Sequence, residues 1–177
     1  HRDCGGFNFD YGCDAIDPKQ PNIKLAINDG TTTGASFTVG NGHYNFYALT
    51  GNFTVAPQVE NPSFFTFSPV NASASFANVN NNVSTNDFCV TANGIHPDLE
   101  VVVAPLTRAR PGFDDEYLII YKNKGNQTLS GNVTFNYDDA VSDLISVNIA
   151  PSVQTTGTLQ WNYTNLLPFE MRGIRVV

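Results

Sequence analysis

The feature that most constrains this sequence is an alternation of apolar and polar residues with a period of two, which begins at Ile23 and recurs through most of the chain. Within residues 22–28, for example, Ile23, Leu25 and Ile27 occupy every second position. Because successive side chains of a strand point to opposite faces, this spacing predicts strands that bury one face. No window shows the apolar period of an amphipathic helix. We therefore predict an all-β chain.

Turn-forming residues separate the predicted strands at short intervals. Gly40, Asn41 and Gly42 supply the positive φ angles of a tight hairpin, with strands predicted at 35–39 and 43–49. Further short strands follow up to residue 92. Short antiparallel strands at this spacing are typical of an immunoglobulin-like sandwich.

The alternation stops at residues 93–98, where Gly94 and Pro97 interrupt it, and then restarts. We therefore predict two tandem β-sandwich modules, at residues 1–94 and residues 95–177. The second module is shorter than a typical sandwich of about 100 residues and ends on a predicted strand. We expect it to be incomplete at its C-terminus.

The strand predicted at residues 158–163 carries the only tryptophan of the chain. Leu159, Trp161 and Tyr163 fall on one face of this strand, and the residues between them are polar. A large aromatic side chain contributes most to stability when it is buried. We therefore expect Trp161 to pack between two sheets.

The charge of the chain restricts its partners. Nine Lys and Arg residues against 16 Asp and Glu residues give a net charge of −7, and the basic residues are scattered. Binding to nucleic acid or to an anionic membrane needs clustered basic residues, so neither is expected as a partner. No apolar run approaches the ~20 residues of a membrane-spanning helix, and the chain is not expected to span a membrane.

Three cysteines, Cys4, Cys13 and Cys89, lie outside any pattern typical of metal ligands. In an oxidising compartment, one disulfide and one remaining thiol would account for them. A bond between Cys13 and Cys89 would join the N-terminal segment to the last strand of the first module. A bond between Cys4 and Cys13 is the alternative, and three unpaired thiols are a further reading that the spacing leaves open.

An acidic segment near the N-terminus has the composition of a cation site. Asp10, Asp14 and Asp17, together with Asn8, place oxygen ligands at short intervals around Gly12. Calcium is bound by six to eight oxygen atoms and accepts irregular loop geometry. We therefore predict that Asp10, Asp14 and Asp17 bind calcium, with a solvated acidic loop as the alternative.

Residues that could suggest catalysis or sugar binding have simpler explanations as well. The three adjacent carboxylates at 114–116 alternate between the faces of a predicted strand entry, so they do not face one another as a glycosidase pair does. Phe64, Phe65 and Phe67 form either a sugar-binding platform or part of a core. The sequence contains no nucleophile, metalloprotease or phosphate-binding motif. No enzymatic activity is predicted.

Residues 22–59 contain a pattern of glycine, aromatic and β-branched residues: Gly42, Tyr44, Phe46, Gly51, Phe53, Thr54 and Val55. Through these residues the segment resembles the prealbumin-like B-type repeats of bacterial surface proteins. The acidic segment at 9–17 resembles the opening of the same repeats in a shortened form. This resemblance implies a prealbumin-like β-sandwich for the first module.

A set of aromatic, glycine, asparagine and apolar residues recurs through the second module: Tyr121, Asn123, Gly125, Asn126, Gly131, Val133, Trp161, Leu166, Leu167, Pro168 and Glu170. Through these residues the module resembles a domain common in very large Bacteroidetes surface proteins that are exported by type IX secretion. The resemblance implies an immunoglobulin-like sandwich and an extracellular or cell-surface location.

These observations favour a non-catalytic structural or adhesive spacer segment of a large bacterial surface or secreted protein. Its partners would be the other domains of the same polypeptide, together with glycans or other surface proteins. A carbohydrate- or ligand-binding module is the first alternative, suggested by the aromatic residues at 64–67 and the Asn-rich loop at 78–82. An accessory domain of a secreted hydrolase is the second.

Overall fold

A computed structural model of the chain describes residues 4–5 and 19–177. The chain divides into two compact units, one ending at His96 and the other running from Pro97 to Val177. Strands dominate both units, and the one helical element among the described residues is a 3₁₀ turn, η1 (Pro62–Phe64). The prediction of an all-β, sandwich-type fold is confirmed. None of the helical structure described is long and apolar enough to cross a membrane.

The described strands of the first unit form two sheets. One is antiparallel with the order β3-β2-β4-β6, and the other has the order β1-β7-β5, with β1 parallel to β7. Leu25 of the larger sheet and Val90 of the smaller one line the same internal space of about 40 Å³, so the two sheets face each other. The strands are β1 (Cys4–Gly5), β2 (Lys24–Asn28), β3 (Thr33–Phe37), β4 (Gly51–Gln58), β5 (Phe65–Ser68), β6 (Ala72–Phe76) and β7 (Cys89–Ala92).

The turn between β2 and β3 shows how the sequence sets the strand register. The Asp29 carboxylate accepts hydrogen bonds from the backbone N–H groups of Thr31 and Thr32, at 2.8 and 2.7 Å. These bonds hold the pKa of Asp29 well below its usual range. Gly30 takes a φ of +95°, which favours glycine at this position. The side chain therefore mimics a backbone turn and fixes where the two strands begin to pair.

Two predicted strands are wrong. Residues 43–49 have no strand structure, although Tyr44 and Phe46 do turn inward and are partly buried. At 43–49 the inward aromatic residues pack without the ladder of hydrogen bonds that defines a strand.

Residues 144–149 alternate in the same way and are also predicted to form a strand, but they contribute a single bridge, between Val147 and Val176. Residues 145–148 do exchange backbone hydrogen bonds with residues 175–177, but Ile145 and Ile149 remain exposed, so their alternation does not mark a buried face.

The second unit consists of two antiparallel three-stranded sheets, with the orders β13-β9-β8 and β10-β12-β11. Core residues alternate along the central strands of both sheets and join in one cluster, which makes this unit a sandwich. The strands are β8 (Leu99–Pro105), β9 (Tyr117–Asn123), β10 (Leu129–Asn136), β11 (Val153–Thr155), β12 (Thr158–Leu166) and β13 (Met171–Val176).

Trp161 lies in this cluster and is 3% exposed. Leu159 and Tyr163, its neighbours on the same face of β12, are buried as well. The indole Nε1–H donates a hydrogen bond to the carbonyl of Ile149 at 2.8 Å, which satisfies its polar group. The prediction for Trp161 is confirmed.

Asn123 at the end of β9 is a fully buried amide that ties three chain segments together. Its Nδ2 donates to the carbonyls of Gln127 at 2.7 Å and Leu166 at 2.9 Å. Its Oδ1 accepts the N–H of Gly125 at 3.0 Å. The amide therefore closes the turn between β9 and β10 and holds it against the end of β12.

Candidate functional site

The first unit contains an open cavity of about 520 Å³. Its floor is the inner face of the larger sheet, where Ile27, Val55 and Ala74 come from β2, β4 and β6. Its walls are the irregular segments 42–48 and 78–87. Because no strand in this stretch covers the sheet, side chains from loops line the space, and such a depression has the size of a small-ligand site.

An aromatic wall rises from the first of these segments. Tyr44 and Phe46 meet edge to face, with ring centroids 5.9 Å apart. The Tyr44 hydroxyl donates a hydrogen bond to the carbonyl of Asn86 at 2.7 Å and so joins the two walls. Burial, together with the charge of Asp87, raises the pKa of Tyr44 to about 12. Tyr44 therefore remains a neutral donor, and the wall is held in place.

The opposite wall is an Asn-rich loop with its own hydrogen bonds. Asn78 Oδ1 accepts the N–H of Asn80 at 3.0 Å and the Nδ2–H of Asn82 at 2.9 Å. The same Nδ2 also donates to the carbonyl of Asn78 at 2.9 Å. Asn86 Nδ2 donates to Ser84 Oγ at 3.2 Å. These bonds fix a row of amides at the rim although the loop contains no strand.

The chemistry of the lining suits a neutral polar ligand. Each Asn amide both donates and accepts hydrogen bonds, as each hydroxyl of a sugar does. Among the described residues that line the cavity, Asp87 is the one carboxylate, His43 is the one imidazole, and neither Lys nor Arg is present. An anion would meet no fixed positive charge here, and the net charge of −7 opposes it further.

The predicted calcium ligands Asp10, Asp14 and Asp17 lie outside the described residues, and that site stays a prediction. Among residues 19–177, no three His, Cys, Asp or Glu side chains are placed to hold one metal ion.

Of the three cysteines considered for the disulfide, Cys4 and Cys89 belong to the described residues. Cys89 is disulfide-bonded. Its predicted partner, Cys13, lies outside the described residues. The backbone of Cys4 in β1 pairs directly with that of Cys89 in β7. Both earlier cysteines therefore remain candidates for the bond.

The aromatic residues at 64–67 do not form a common platform. Phe65 is 5% exposed and belongs to the core. Phe64 stacks on His96, with ring centroids 4.2 Å apart and planes 4° from parallel. The sugar-binding interpretation of this run is therefore not supported.

The carboxylates at 114–116 lie at a strand entry, and one of them has a structural role. Glu116 Oε1 pairs with Arg175 Nε at 3.1 Å, and its N–H donates to Thr107 Oγ1 at 2.8 Å. Glu116 therefore fastens the start of β9 to its neighbours. Asp138 Oδ1 accepts the N–H of Ala140 at 3.0 Å and forms a turn.

The cavity is not predicted from the sequence, although the segments that form its two walls each show a recognisable sequence pattern. The alternation at 43–49 predicts a strand, and the Asn-rich loop at 78–82 suggests ligand binding together with the aromatic residues at 64–67, not with Tyr44 and Phe46. Their meeting is a tertiary contact across more than thirty residues of sequence. No local pattern reports such a contact.

No protein-family model matches this chain, and neither a curated protein sequence nor a solved structure matches it. The cavity and the two compact units are therefore the basis for a functional proposal.

Proposed function

We propose that the chain is a non-catalytic structural or adhesive segment of a large extracellular or cell-surface protein. The observation that carries this proposal is the division into two compact β units, each with its own sheets and buried residues. The disulfide at Cys89 supports an oxidising, extracellular location, because such bonds are rare in the cytosol. The resemblance of the second unit to domains of Bacteroidetes surface proteins agrees with this role.

Single-molecule stretching tests the spacer role. In oxidising buffer we expect one full unfolding step from the second unit, while the disulfide keeps most of the first unit from extending. With reductant present, the first unit should add a second step, and the added length should match the residues between the bonded cysteines at about 3.3–3.6 Å each. Smooth extension without steps, or one step for the whole chain, would rule out two independent load-bearing units.

A second candidate function is carbohydrate binding, and the cavity of the first unit favours it. A sugar ring can lay its apolar face against Tyr44 and Phe46 while its hydroxyls reach the amides of the Asn-rich loop. Neutral saccharides of bacterial or host surfaces would then be the ligands. This role is compatible with an adhesive segment.

Glycan-array screening followed by calorimetry with the best neutral oligosaccharide tests this candidate. Phe46→Ala and Asn82→Ala are expected to weaken binding by roughly tenfold each, because each removes one contact worth about 1 kcal/mol or more. Asn132→Ala is the matched control, since it removes an exposed amide from β10 of the other unit. Melting temperatures of all variants establish that they fold. Equal binding by the three variants would place the ligand elsewhere, and the absence of any neutral ligand would reject the function.

A further inference from the structure

The core-facing side of β9 is covered, but the same side of its neighbour β8 is not. Ile119 and Tyr121 of β9 are 1% and 5% exposed. Their direct cross-strand partners on β8 are Val103 and Val101, which share that face of the sheet. These two valines are nevertheless 47% and 45% exposed. The apolar face of this sheet therefore extends beyond the cover that the facing sheet provides.

The facing sheet ends at β10, which among the described strands pairs with β12 alone. The N–H of Tyr137 donates to the carbonyl of Gly157 at 3.0 Å, and bonds to one neighbour recur at every second residue of an antiparallel strand. The backbone groups of Asn132, Thr134 and Asn136 therefore point away from β12. They form a free edge, and Val133 between them faces the core and is 4% exposed.

The other side of the sandwich is closed by the chain itself. Val147 bridges Val176 at the outer side of β13. The chain then passes Ile149, which accepts the indole hydrogen bond, and the N–H of Ser152 donates to Gln160 as the chain joins β11 on the facing sheet. The segment thus crosses from one sheet to the other at this side. β8 and β10 therefore both lie at the opposite side of the sandwich, where no such crossing segment closes it among the described residues.

We propose that the second unit binds an extended strand of another polypeptide along the free edge of β10. The backbone of that strand would pair with Asn132, Thr134 and Asn136, and its inward side chains would cover Val101 and Val103. The partner is therefore a segment with an apolar residue at every second position and polar residues between. Main-chain hydrogen bonds supply affinity in this kind of recognition, and the alternate side chains supply specificity.

The charges at this open side agree with such a partner. Exposed sheet edges are usually protected by lysines or by inward-pointing charges that prevent strand pairing. β10 carries no charged residue, and the one charge on β8, Glu100, forms an ion pair with Lys124. Nothing in either described strand repels a neutral strand. The inference concerns the second unit alone and is independent of saccharide binding by the first.

The test uses the full chain and a short blocked peptide in which valine and threonine alternate, with a lysine at each end for solubility. We expect the peptide to slow hydrogen exchange at the amides of Asn132, Thr134 and Asn136 by at least about tenfold at saturation. Thr134→Pro removes one outward N–H, which an edge strand tolerates, and should weaken peptide binding by roughly tenfold. Thr134→Ala is the matched control, because it removes the side chain but keeps the N–H.

A Val101→Lys variant adds a second check, since it places a charge under the bound strand without touching β10. It should also weaken binding, and a melting temperature near that of the wild type shows that the unit is folded. Unchanged exchange at the β10 amides with saturating peptide would overturn the proposal. Concentration-dependent dimerisation that protects the same amides without peptide would also overturn it, because a second copy would then be the occupant.

Discussion

Replacing Trp161 with alanine is expected to lower the free energy of unfolding of the second unit by about 3–5 kcal/mol. The indole is 3% exposed and lies in the cluster that joins the two sheets. Truncation leaves a cavity that the surrounding strands, held by their hydrogen-bond ladders, close only in part. It also removes the hydrogen bond from the indole to the carbonyl of Ile149.

Chemical unfolding followed by circular dichroism measures this effect, because Trp161 is the only tryptophan and its loss removes the fluorescence signal. Ile145→Ala is the matched control. Ile145 belongs to the same unit but is 58% exposed, and its truncation should change stability by no more than about 0.5 kcal/mol. If Trp161→Ala were as stable as this control, the indole would not be packed between the sheets.

The inward face of β12 could be predicted from the sequence because it depends on neighbouring residues alone. Leu159, Trp161 and Tyr163 are buried because alternation on a strand assigns side chains to faces, and that assignment needs only neighbouring residues. The same local information predicts β9, because the apolar run at 117–121 has apolar residues on both faces, which is typical of a central strand. It does lie between β13 and β8.

The strand prediction at residues 43–49 is wrong because it too relies on alternation alone. Alternation predicts that Tyr44 and Phe46 turn inward, and both are partly buried. It does not predict whether a second strand lies at hydrogen-bonding distance. The Tyr44 hydroxyl instead bonds to the carbonyl of Asn86 in a distant loop, so the segment packs without a ladder. Strand pairing depends on residues far apart in sequence, and a single sequence does not reveal it.

Asn123 is a position whose burial the sequence does not predict. The resemblance proposed from the sequence includes this position, but an asparagine beside a glycine-containing turn is expected at the surface. In the fold it is completely buried and makes hydrogen bonds to Gly125, Gln127 and Leu166. A buried amide is tolerated only where the tertiary structure satisfies its hydrogen bonds. That condition becomes visible only when the ends of β9 and β12 are placed together.

Replacing Cys89 with serine is expected to lower the free energy of unfolding of the first unit by about 4 kcal/mol, as the chain-entropy treatment of a long closed loop gives. Cys89 is disulfide-bonded and begins β7, the middle strand of the smaller sheet. Both other cysteines precede it by most of the length of the unit. The bond therefore restricts the unfolded chain strongly, and its loss stabilises the unfolded state.

Serine variants of the other two cysteines identify the partner in the same experiment. Either connectivity closes a loop of similar length, so the variant of the true partner should lose as much stability as Cys89→Ser, and the other should unfold like the wild type. Cys13 is the partner of Cys89 in one of the pairings that the sequence leaves open, whereas the pairing of β1 with β7 brings the backbone of Cys4 next to Cys89. Reductant should lower the stability of the wild type to that of Cys89→Ser. The second unit contains no cysteine and serves as the internal control. Wild-type stability of Cys89→Ser without reductant would show that the bond does not hold the first unit together.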